Sequence, residues 1–157
     1  MKHLAWISLL ALTGLLFGQP PEPKLSELTG KDRERLDQQR AVVAAAAKER
    51  YGIATLTGTK KDLRVLQRLL DDKVFTKSQT YELQSLGVAF GDVLTNELPL
   101  RWVMITDEYG TDPTLRFRNT STTINALTII SKRVERDEPV NVFWLLNKTR
   151  EALATAR

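Results

Sequence analysis

Beyond residue 28 the hydrophobic positions recur at a helical period, switch to a period of two near residue 100, and return to the helical period near residue 126. Thr29, followed three positions later by Asp32, has the form of a capping box. Leu36, Val43, Ala47 and Tyr51 then recur among Arg, Gln and Glu, so a first helix is expected to run to Gly52. Its alanine-rich stripe is narrow, as in a helix that packs closely on a neighbour or is partly exposed. Thr59-Lys60-Lys61-Asp62 is a second start signal, and Leu63, Leu66, Leu69, Leu70 and Val74 give the broad apolar face of a helix ending near Leu70 or Asp72. Thr76-Lys77-Ser78-Gln79 is a third, after which Leu83, Leu86, Phe90, Val93, Leu94 and Leu98 form the strongest stripe in the chain until Pro99 stops it.

Leu100, Trp102, Met104 and Thr106 alternate with Arg101, Val103, Ile105 and Asp107, apolar on both faces in the middle, which predicts a central strand. Leu115 and Phe117 alternate with Thr114, Arg116 and Arg118, a strand wet on one face and joined to the first through residues 108–113. Residues 120–124 supply a β-branched third strand. Helical spacing returns over Ala126 to Arg136, through Ile129, Ile130 and Val134, and from about Asn141, through Val142, Leu145, Leu146, Thr149 and Leu153. Helices, then strands, then helices, with no βαβ alternation, predict an α+β fold: N-terminal helices, a small antiparallel sheet of two to three strands, and two C-terminal helices.

Gly87 and Gly91 lie one turn apart on the third helix, and each costs up to about 1 kcal/mol relative to alanine. The expected compensation is close packing against another backbone; a ligand pressed against them is the alternative. In the packed case leucine overfills the crossing, and alanine is expected to be better tolerated.

The first eighteen residues differ from the rest. Lys2 supplies a positive start, and Leu4 to Phe17 is an almost unbroken apolar run of signal-peptide length, too short to span a bilayer comfortably. Residues 1–18 are read as a secretory signal with Gly18 at the cut, although bulky Leu16 weakens the cleavage pattern and leaves an uncleaved anchor as the alternative. Residues 19–25 are a proline-rich spacer, and residues 26–157 are expected to form one α+β domain with no membrane span.

Removing the signal changes the chemistry available. What remains carries 22 Lys and Arg against 19 Asp and Glu, with no histidine and no cysteine. An imidazole base, a thiolate nucleophile, a lipidated N-terminal cysteine and the usual zinc or redox-metal ligands are thereby excluded, so neither metal nor cofactor is expected.

Four blocks carry a resemblance: Glu82-Leu83-Gln84-Ser85-Leu86-Gly87-Val88-Ala89-Phe90-Gly91-Asp92, then Trp102-Val103, then Asp107-Glu108-Tyr109-Gly110, then Ile130-Ser131-Lys132-Arg133-Val134-Glu135. In this order they resemble the bacterial family catalogued as domain of unknown function 3806, over about Leu63 to Leu153. The chain departs from the family at Asn125-Ala126, where an aromatic or apolar residue followed by proline is expected. The resemblance implies a domain and a bacterial source, and it transfers no catalytic residue.

Two constellations could carry chemistry. Asp107, Glu108 and Asp112 are candidate catalytic carboxylates or hard-cation ligands on the hairpin connection, and acids beside Gly110 and Pro113 are equally what a solvated turn requires. Arg116 and Arg118 on one strand face, with Lys132, Arg133 and Arg136 on one helical turn, are candidate binding residues for an anion, or charges on a wet face. Arg116 or Lys132 pairing with Asp107 or Glu108 would instead make a structural network. Gly52 to Lys60 fails as a phosphate loop because Thr59 separates Gly58 from Lys60, and no serine has a lysine three positions on. The expected function is a non-enzymatic envelope or secreted module that binds a protein or an anionic surface component, not nucleic acid. A carboxylate-based envelope hydrolase or transferase is the alternative.

Overall fold

The computed structural model describes residues 22–156. The expected signal, residues 1–18, and the start of the spacer lie outside them. Helix α1 (Gly30–Tyr51) starts at the Thr29 box: the Thr29 side chain accepts from the Asp32 amide, and the Asp32 carboxylate accepts from the Thr29 amide at 2.8 Å and hydroxyl at 2.7 Å. Those two bonds, the hydroxyl's first, hold the Asp32 carboxyl below its ordinary pKa. Gly52 closes the helix at φ 68°, a left-handed conformation in which a side chain would be strained.

At the second start signal, Thr59 accepts from the Lys61 amide, and residues 60–62 form one 3-10 turn before α2 (Leu63–Asp71). Asp62 is buried and turns back, accepting from the Thr57 and Gly58 amides at 2.8 and 2.7 Å and from the Thr57 hydroxyl. Gln79 caps the turn ahead of α3 (Thr80–Glu97) by accepting from the Thr76 amide at 2.9 Å. Helix α3 buries side chains almost all round, so it forms the axis of the core, with α1, α2 and the later helix α4 (Ala126–Glu135) laid against it.

The fold is α+β, with five helices and a four-stranded antiparallel sheet in the order β1-β2-β3-β4. Three sequence expectations are corrected. The sheet has four strands and begins before the helices, because Lys24–Ser26, at the spacer boundary, forms β1 against Met104–Thr106. The hairpin between β2 (Leu100–Asp107) and β3 (Gly110–Phe117) turns in two residues, Glu108 and Tyr109, since Asp107 pairs with Gly110 and the register continues through Asp112 and Pro113. The third strand expected over residues 120–124 contracts to β4 (Thr123–Ile124), because β3 ends at Phe117 and residues 118–120 form the return turn.

Leu100, Trp102, Leu115 and Phe117 share the sheet face that packs on the helices, where burial of each large side chain is worth about 2 kcal/mol. Helices α4, against α3 and β3, and α5 (Val142–Thr155), against α2, complete the same core, the latter capped by Asn141 accepting from the Trp144 amide. No helix among the described residues is long and apolar enough to cross a membrane.

Candidate functional site

The sequence-selected residues do not assemble into one site. Asp107 accepts from the Tyr109 amide at 2.8 Å, stabilising its own turn, while Glu108 and Asp112 are exposed. Asp112 lies in β3, and pairs with Arg35 of α1 at 3.1 Å with both side chains about half in solvent. Arg116 donates to the Thr120 and Asn119 carbonyls at 2.6 and 2.9 Å, so it braces the turn after β3. Arg118 is in that turn at φ 49°, off the strand face expected for it, with its guanidinium 4.9 Å from the Phe117 ring centroid. Arg133 donates to the Ile129 carbonyl at 2.6 Å, and Lys132 and Arg136 are exposed. No grouping of three or more His, Cys, Asp or Glu suited to a metal occurs among the described residues.

Gly87 and Gly91 lie where α3 meets its neighbours. A Cβ at Gly87 would collide with the Ala126 carbonyl oxygen and stand 2.7 Å from that of Leu127; at Gly91 it would fall 2.8 Å from Cη2 of Trp102. The crossing is filled by protein. Alanine is already too large at Gly87, where the obstacle is backbone. Asn125-Ala126 belongs here too, since Ala126 begins α4 and is fully buried against this seam.

A knot beside the seam was not apparent from the sequence. Asp92 accepts from Arg40 Nε and Nη2, each at 2.7 Å, and from Trp102 Nε1 at 3.0 Å, so one carboxylate joins α1, α3 and β2. The Asp92 bond leads the effects that raise the Arg40 pKa above its ordinary range. Asp92 is 21% exposed and its two oxygens are occupied by these donors, which makes it an anchor. The available signal was a lone acid in an apolar stripe directly after Gly91.

Two accessible concave surfaces lie along α2. Gln67, midway on that helix, accepts from the Val142 amide at 2.9 Å and donates to the Val140 carbonyl at 3.0 Å, clasping the α4–α5 connection as a strand partner would. On one side of the clasp is a groove of about 680 Å³. Its floor is Leu70, Phe75, Val134 and Val140, and its rim carries Asp71, Lys73, Lys77, Asp137 and Glu138. Lys77 and Asp137 pair across the rim at 2.9 Å.

Two helix ends shape this groove in the same manner. After α2, the Val74 amide bonds to the Leu69 carbonyl and the Lys73 amide to that of Leu70, both at 3.0 Å. After α4, the Glu138 amide bonds to the Arg133 carbonyl at 2.8 Å and the Asp137 amide to that of Val134 at 3.0 Å. Both are Schellman motifs, whose left-handed position favours glycine. Here that position is Lys73 at φ 48° and Asp137 at φ 56°. On the other side of the clasp a second depression, of about 440 Å³, is lined by Lys60, Lys61, Arg64 and Phe143.

Residues 62–145, over half of the chain, match the family described as Domain of unknown function (DUF3806). A crystal structure from Bacteroides thetaiotaomicron VPI-5482 superposes with a TM-score of 0.77 at 18% identity, covering 87% of this chain and 50% of that one. The chain therefore spans half the length of that protein, and the likeness extends to the fold alone. No curated protein matches the sequence.

Proposed function

This chain belongs to the DUF3806 family, and from that premise we propose that it is an exported, non-enzymatic binding module that takes a polypeptide segment in the groove between the ends of α2 and α4. The observation that carries the reading is the pair of strained helix ends. A non-glycine residue in a left-handed conformation costs on the order of 1 kcal/mol, and such residues cluster at ligand-binding and switch sites. Lys73 and Asp137 both stand on the rim of this groove, whereas α1, whose end does not line it, stops on glycine. An apolar floor with both signs of charge around it suits an extended segment bearing an apolar side chain between charged ones. The apolar run at residues 4–17 supports export, and the absence of His and Cys beyond it supports a non-enzymatic role. The carboxylates that a hydrolase would use, Asp107, Glu108 and Asp112, stand on or beside a solvated hairpin and outside the groove.

Selection of a displayed peptide library on the purified protein tests this, followed by re-testing of the survivors on a Lys73→Glu, Glu138→Lys double variant. Enriched peptides with an apolar residue flanked by charges, bound at least about tenfold more weakly by the double variant, are expected; tenfold corresponds to about 1.4 kcal/mol. Peptides indifferent to the double variant, or no enrichment, would remove the groove as the binding site.

A further inference from the structure

We infer that the depression on the other side of the Gln67 clasp, with the aromatic pair beside it, is a docking surface for an anionic lipid bilayer. It lies apart from the peptide groove and does not depend on it. The segment Lys60-Lys61-Asp62-Leu63-Arg64 reads as mixed charge, but the fold separates the signs. Asp62 is buried, its two oxygens occupied by the Thr57 and Gly58 amides and the Thr57 hydroxyl. Lys60, Lys61 and Arg64 are exposed, and among the described residues none has a carboxylate within 4.0 Å. A concave surface with three uncompensated cations calls for anions.

The aromatic residues decide which anions. Phe143 lines the depression at 38% exposure, and Trp144 beside it is 52% exposed, on the first turn of α5. Lys148, one turn on, has its ammonium 6.0 Å from the Trp144 ring centroid while also pairing with Glu151 at 2.6 Å. A free phosphate would gain nothing from two adjacent exposed rings. At the boundary between headgroups and hydrocarbon, both parts are used: the rings enter the interface and the cations meet lipid phosphates. Gln67 holds the start of α5 to α2 through the Val142 amide, so rings and cations keep a fixed spacing before any contact is made.

The test is co-sedimentation of the full chain with phosphatidylcholine vesicles and with vesicles containing one third phosphatidylglycerol, for wild type and two variants. One variant carries Lys60→Glu, Lys61→Glu and Arg64→Glu; the other carries Phe143→Ser and Trp144→Ser. Each cation near such a surface is worth roughly fivefold in binding, so the charge reversal should lower affinity for the anionic vesicles by about a hundredfold or more. Its binding to neutral vesicles, including any contribution from residues 4–17, should be unchanged. The aromatic variant should bind both vesicle types more weakly than wild type. All the substituted side chains are exposed, and thermal melts establish that both variants are folded. Charge-reversed protein that binds anionic vesicles as wild type does would overturn the proposal. So would wild type that prefers inorganic phosphate or soluble polyphosphate and shows no preference between the vesicles, which would make the ligand a free anion.

Discussion

Where α3 crosses α4, Gly87 brings backbone against the Ala126 and Leu127 carbonyls, and no side chain intervenes. Where α2 meets the α4–α5 connection, the polar link is one side chain, Gln67, with an open depression on either side. Both contacts join a helix to a neighbour brought from elsewhere in the chain. The first removes all accessible volume and fixes the position of α4. The second fixes only the connection's path and leaves apolar side chains such as Phe75 and Val134 partly uncovered. Hence the glycines, the more conspicuous feature of the sequence, are structural, and surface available to a ligand gathers on either side of a polar clasp.

The sharpest way to break this comparison is to add one carbon to the seam. Gly87→Ala places a Cβ against two carbonyl oxygens, and neither can move without shifting the first turn of α4. The gain in helix propensity, up to about 1 kcal/mol, does not offset overpacking against backbone. A net loss of about 3 kcal/mol is expected, roughly 10 °C in the melting midpoint. An unchanged midpoint would mean that the seam is looser than the grooves are taken to be.

A smaller effect is expected at the knot beside the seam. Asp92→Asn keeps the volume and can still accept from Trp102, but it loses the charge opposite Arg40. The pair is partly exposed, so the expected loss is about 2 kcal/mol in denaturant melts. A double-mutant cycle with Arg40→Gln should return most of that loss as coupling energy. Additive effects would show that Asp92 is not the anchor and would leave Gly91 to hold Trp102 by packing alone.

What could be read from the sequence was local. Thr29 with Asp32, Gly52, Pro99 and Asn141 mark helix ends through bonds made within a few residues, and those ends are found in the structure. The change of period at Leu100 locates β2 for the same reason. Strand β1 escaped because three residues beside a proline-rich stretch are too few to show alternation, and their pairing partners lie some eighty positions on. Asp92 and Arg40 are 52 residues apart, so the lone acid after Gly91 does not reveal its partner. The groove is less legible still. Its floor comes from the last turns of two helices and the connections that follow them, and its rim from helix ends whose distinguishing mark is the glycine they lack.

That missing glycine gives the subtlest test, with a sign opposite to the others. Lys73 ends α2 in the left-handed region, where its Cβ is strained, while the two backbone bonds of the motif would survive a change to glycine. Removing the strain gains on the order of 1 to 2 kcal/mol, and the greater freedom of glycine in the unfolded chain takes back 0.5 to 1 kcal/mol of it, both as rough magnitudes. Lys73→Gly should therefore raise stability by about 0.5 to 1 kcal/mol, or roughly 2 to 5 °C in the melting midpoint. Lys73 has no carboxylate within 4.0 Å among the described residues, so no ion pair is lost with it. A protein more stable without the lysine, yet weaker toward peptides selected on wild type, would show that the rim charge is kept at the expense of stability. A lower midpoint would show instead that Lys73 supports the fold, and the contrast between a tight structural seam and a strained binding rim would fail at its second term.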